Sequence, residues 1–274
     1  MRHCASIGIE RCLLFCGSGR SNVKQVRAAD LRLVSATFEE AASLIIEQAA
    51  GRCEKTAVVV HVNARNYHYL MKEPGLAEAL SRRTITILDG IGLKVGIWLS
   101  GKGWHSDLNG TDLFPIVMER ASQRALRVYL LGGLPGVAET AALNTQTAYP
   151  GLDVCGSHHG YFAESEEEAI MLEINGLKPH ILLVGMGFPR QEHFCLRWAE
   201  AADVKLMWNV GGLFDFISRK KPRAPLMIRR LRLEWLYRWY VEPVRLFRRT
   251  FLEAPLSIAR IAVSGLRGKG ACPR

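Results

Sequence analysis

The stretch ILDGIGLKVG, residues 87–96, sets Asp89 between an apolar run and a helical segment, with glycines at 90, 92 and 96. Glycines in such a turn let backbone amides approach a phosphate, and the following helix N-terminus favours an anion. A carboxylate at Asp89 would face a ligand held there, or it could simply cap helix 91–101. Gly90, Gly92 and Gly96 also approximate a dinucleotide fingerprint, which would make the chain a nicotinamide-dependent oxidoreductase. The next clear strand begins near Arg127, however, too late to supply the usual acidic ribose partner.

Three further stretches carry candidate chemistry. In GMGFPRQEHF (185–194), Pro189 suits the first position of a helix, so Gln191 would sit in its first turn, where it could bind a polar ligand or belong to an ordinary helix start. NVGGLFDF (209–216) ends a strand in two glycines and Asp215, an acceptor for a ribose or base, or a satisfied turn carboxylate. SHHGYF (157–162) offers Tyr161 as a stacking surface; its two histidines lack partners at zinc-site spacing, so no metal is expected.

These stretches follow apolar runs at 56–63, 83–88, 127–133, 180–187 and 204–212, which alternate with amphipathic helical segments. Strands this apolar are buried on both faces, so the class is α/β, a mostly parallel Rossmann-like sheet flanked by helices. Ligands bind beyond the carboxyl ends of such strands, where Asn63, Asp89, Gly132, Gly133, Gly187 and Asp215 fall. The alternation stops near SRKKPRAP (218–225). This divides the chain into an N-terminal extension (1–27) without an evident fold, an α/β core (28–217) and a basic, aromatic, helical C-terminal appendage (218–274).

Of the chain's 274 residues, 216–274 hold 15 Lys/Arg against only Glu234, Glu242 and Glu253, so the whole net charge of +10 resides there. Basic charge with aromatics admits a nucleic-acid-binding protein as a further alternative. Trp235 and Trp239 would share a helix face, and Pro243 would interrupt or restart that helix. Tryptophan favours the membrane interface, and clustered arginine is drawn to anionic lipid. Seven cysteines without a CxxC pair fit a reducing cytoplasm, and no apolar run reaches the length of a spanning helix.

Taken together, VNARNY, LDGIGL, NGTDL, YLLGG, HHGYF, GFPRQE, GGLFDF, RAP and LEWLYR…EPVRLFRR resemble the bacterial WecG/TagA/CpsF glycosyltransferases, over about residues 28–251. The resemblance implies an inverting, metal-independent and cofactor-free transfer of a hexose, often N-acetylmannosamine, from a UDP-sugar. The acceptor it implies is a polyprenyl-diphosphate-linked saccharide at the inner face of the cell membrane, in exopolysaccharide, capsule or cell-wall polymer synthesis. It places the catalytic base at Asp89, the uridine near Tyr161 and Asp215, and appendage arginines at Arg238, Arg245 and Arg248. Gln191 and Asn63 match further motif positions, and Gly132 and Gly133 join the substrate-binding set. His61 stands where many members have threonine and Leu108 near a usual arginine, both at the sugar end of the pocket that the resemblance implies. No Asp-x-Asp pair is present to hold a divalent ion, so arginine forks would neutralise the departing diphosphate. On this reading nucleic acid is not a partner, and homo-oligomerisation is left open.

Overall fold

A computed structural model describes residues 24–28, 31–51, 55–225, 227–228 and 233–268. Eight strands form one sheet: β1 (Lys24–Ala28), β2 (Leu31–Ser35), β3 (Ala57–Val62), β4 (Ile85–Leu88), β5 (Arg127–Gly132), β6 (Asp153–His158), β7 (Ile181–Gly185) and β8 (Leu206–Asn209). Their order is β1-β2-β4-β3-β8-β7-β5-β6. Among the described residues only β1 runs antiparallel, paired with β2. The expected α/β class is thus present, and the sheet is wider than the apolar runs suggested. Strands β1, β2 and β6 (KQVRA, LRLVS, DVCGSH) carry too much polarity to announce themselves.

The central strands are buried on both faces, as their β-branched composition requires. One face packs under α1 (Phe38–Ala50), α5 (Gly110–Gln123), α6 (Val137–Ala148) and α9 (Leu213–Ile217). The other carries α2 (Ala64–Leu70), α3 (Pro74–Arg83), α4 (Ile91–Leu99), α7 (Glu167–Leu177) and α8 (Arg190–Trp198). A capping box at Thr37 and Glu40 starts α1: the Thr37 hydroxyl accepts from Glu40 N, and Glu40 Oε2 accepts from Thr37 N. Between β3 and β4 the chain forms two helices rather than one, because Pro74 cannot continue α2 and instead begins α3.

The C-terminal segment forms α10 (Glu234–Val241), α11 (Pro243–Arg248), a π-helical turn (Arg249–Glu253) and α12 (Ala254–Gly268). Pro243 does restart the helix. The last helix is part of the core: Ile261 is 1% exposed, and the buried Ser257 hydroxyl donates to Ala64 O at 2.7 Å. Two glycines of α4 make this docking fit. A Cβ on Gly96 would lie 3.2 Å from Ile261 Cβ, and one on Gly92 would lie 3.2 Å from Ala64 Cβ and 3.8 Å from Ile258 Cδ1.

All three acids of the C-terminal segment tie it down. Glu242 meets Lys221 at 3.5 Å, Glu234 meets Arg223 at 4.0 Å, and Glu253 meets Arg65 at 4.0 Å and Arg248 at 3.6 Å. Arg223 also pairs with Asp112 on α5.

Candidate active site

The two halves of the sheet meet where β3 pairs with β8, and the carboxyl ends of β3, β4, β5, β7 and β8 share one edge. Asp89 follows β4 directly, its N–H donating to Val62 O at 2.9 Å. Gly90 adopts φ +88°, a conformation open to glycine, and its N–H donates to Asp107 Oδ1 at 2.6 Å. Asp107, which sequence reasoning did not single out, therefore fixes the turn that presents Asp89. Leu108 N binds Leu88 O at 3.0 Å, laying the 101–109 loop alongside β4.

The glycine pattern divides by role. Gly90 shapes the turn, whereas Gly92 and Gly96 face α12 and adjoining side chains, and this removes the support they lent to a dinucleotide fingerprint. Asn63 is the N-cap of α2, its Oδ1 accepting from Arg65 N and Asn66 N at 3.0 and 3.1 Å. It still borders the turn, since a Cβ on Gly90 would lie 3.8 Å from Asn63 Cβ.

His61 lies deeper, on the α5 face of β3. Trp208 Nε1 donates to its Nε2 at 2.8 Å, and burial lowers its pKa to about 4, so it is a neutral ring within the core.

On the other half, Gly132 and Gly133 (φ +150° and +70°) allow the ends of β5 and β7 to touch: a Cβ on Gly132 would sit 2.4 Å from Gly185 O. Gly133 N donates to Gly185 O, and Gly160 N to Gly133 O. The adjoining Tyr161 is 65% exposed, a free aromatic face beside these glycines. Gln191 is buried, and its Oε1 accepts from Gly187 N at 3.2 Å and Gly211 N at 3.1 Å, so it staples the loops after β7 and β8.

Its Nε2 donates to Glu192 Oε1, which also accepts from Asn209 Nδ2, while Cys195 Sγ donates to Asn209 Oδ1. This buried chain of Gln191, Glu192, Asn209 and Cys195 was not legible as a unit. Burial raises the Glu192 carboxyl to about 7 and holds the Cys195 thiol well above its ordinary value. Arg190 is fixed over Phe162, donating to its carbonyl at 2.6 Å.

Asp215, on α9, lies 3.3 Å from Lys221 Nζ, and Lys221 continues to Glu242 of the C-terminal segment. Asp215 and the segment thus share one lysine. Arg248 is exposed and pairs with Glu253. The side chains of Arg238 and Arg245 lie outside the described residues, although both positions fall within helices, α10 and α11.

Asp89, Asn63, Gly132, Gly133, Tyr161, Gln191 and Asp215 therefore gather along one sheet edge, whereas His61 lies beneath it. Such an edge can hold a nucleotide across the glycine-lined half and present a carboxylate to a second reactant. The segment carrying Arg248 re-enters the core at Ser257, against the first residue of α2 and the helix that follows Asp89.

The Glycosyl transferase WecG/TagA/CpsF family model matches residues 26–271. That span takes in α12, which the motif resemblance had left outside. An N-acetylglucosaminyldiphosphoundecaprenol N-acetyl-beta-D-mannosaminyltransferase of Bacillus spizizenii is 30% identical over 191 residues, 70% of this chain and 74% of that protein. A protein of the same name from Staphylococcus aureus is 27% identical over 229 residues, 84% of this chain and 89% of that protein.

Proposed function

The chain belongs to the WecG/TagA/CpsF family of glycosyltransferases, and on that premise we propose that it moves a hexose from a UDP-sugar onto a polyprenyl-diphosphate-linked saccharide, with inversion and without a metal. The observation that carries this reading is the place of Asp89, on a turn pinned by Asp107 at the edge where the nucleotide-side glycines also end.

A sugar hydroxyl is a weak nucleophile at neutral pH. Asp89 would accept its proton as the oxygen attacks the anomeric carbon from the face opposite the departing UDP, which inverts that centre. The uridine would lie by Tyr161 and Asp215, with Gln191 holding the loops around it. Arg238, Arg245 and Arg248 would meet the negative charge growing on the leaving diphosphate.

The acceptor's lipid tail calls for a membrane surface. Among the described residues no helix is long and apolar enough to cross a bilayer. The C-terminal segment exposes Trp235, Tyr240, Val244, Phe247 and Leu252 beside its arginines, with Val244 at 93%. That surface suits docking on the inner leaflet, and so many exposed apolar groups favour lipid over nucleic acid.

A panel of UDP-sugars, incubated with a short-chain acceptor of the kind named for the two relatives, tests the reading. Transfer of one sugar with inverted anomeric configuration is expected. Absence of UDP binding, or product of retained configuration, would refute it.

A further inference from the structure

Beyond β2 and β4, on the side of Asp89 away from the nucleotide-side glycines, the edge holds a cleft of about 290 Å³. Phe38, Lys94, Trp104, Ser106 and Asp107 are among its walls. We propose that this cleft binds the sugar ring of the acceptor. The inference rests on the transferase reading above and assigns its second substrate a place.

Four observations point this way. A base that activates a hydroxyl must lie between donor and acceptor, and this cleft flanks the Asp89 turn opposite the donor half. Asp107 belongs to both, since the carboxylate that lines the cleft accepts the Gly90 N–H. Trp104 is held yet open: Lys94 Nζ sits 4.1 Å from its ring centroid and Trp98 meets it edge-on at 6.1 Å, while the residue stays 59% exposed. An indole fixed in this way, with hydroxyl and carboxylate groups nearby, offers the apolar platform and polar rim that a pyranose requires. Finally, the volume lies at the lower end of small-molecule sites, about 300 Å³, which suits one sugar ring better than a nucleotide.

The test is calorimetric titration of the full chain with N-acetylglucosamine joined through a diphosphate to a short alkyl group, with and without UDP, beside a separate UDP titration. Trp104→Ala, at an exposed position that leaves the core intact, is expected to weaken the analogue at least ten-fold and to change UDP affinity less than two-fold. Trp104→Phe is expected to restore most of the loss.

Unchanged analogue affinity in Trp104→Ala would overturn the assignment. So would a parallel loss of UDP affinity, a wild-type chain that does not take the analogue, or a variant released from anionic vesicles with analogue binding intact. The last outcome would give the Trp98–Trp104 pair to lipid. Should wild type bind the analogue but not UDP, the nucleotide reading alone would fail, and the Trp104 comparison would still decide the cleft.

Discussion

Replacing Glu192 by glutamine isolates the cost of the charge buried behind Gln191. Glu192 is fully buried, and its Oε2 has no hydrogen-bond partner among the described residues. Burial raises its carboxyl from 4.5 to about 7; at 1.36 kcal/mol per tenfold change in proton affinity this is about 3 kcal/mol. The folded state keeps the proton to higher pH than the unfolded state. Its contribution to stability is therefore fully present below pH 4.5, declines as pH rises to about 7, and is level above that.

His61 acts in the opposite sense. Its folded value of about 4 lies below the ordinary 6.5, so stability falls as pH drops through that interval, again by about 3 kcal/mol. Where the two intervals overlap the effects offset in the wild type, and only a difference between variants separates them. Glutamine retains an oxygen to accept from Gln191 and Asn209 and never ionises. Urea unfolding from pH 5 to 8 should give Glu192→Gln a relative stability that climbs with pH and is about 3 kcal/mol higher at pH 8 than in acid. A difference independent of pH would refute the account of Glu192.

Asp89→Asn should keep the fold and UDP affinity while lowering transfer about 10²–10⁴-fold, the usual worth of a general base; unchanged turnover in a radiolabelled sugar assay would remove Asp89 from that role. Turnover in excess EDTA should equal turnover without it, since no Asp-x-Asp pair is present, and an absolute Mn²⁺ or Mg²⁺ requirement would contradict this. Gly96→Val should destabilise by about 1–3 kcal/mol, because a Cβ added there would lie 3.2 Å from Ile261 Cβ, as read by thermal unfolding. Tyr240→Asp with Val244→Asp should reduce sedimentation with anionic vesicles while leaving thermal stability unchanged. Deleting the whole segment would instead strip Ser257 and Ile261 from the core.

The sequence by itself determined the class of fold and which polar residues and glycines follow its strands. Runs such as AVVVHV and ILLVG carry no polar face, so they must lie between two layers, and the polar residues and glycines at their carboxyl ends fall on one edge. Asp89, Gly133, Gln191 and Asp215 could be named on that basis. The edge strands could not, because a strand with one solvated side or a short pairing needs few apolar residues.

Only the tertiary structure decided which distant partners those residues meet. Asp107 reaches Gly90 across 17 positions, Trp208 reaches His61 across 147, and Ser257 reaches Ala64 across 193. The glycines show the reason most directly. Gly90, Gly92 and Gly96 form one pattern on paper, since glycine marks any place where something must come close. Whether that something is a bent backbone or the side of another helix depends on what the chain brings back from far along its length.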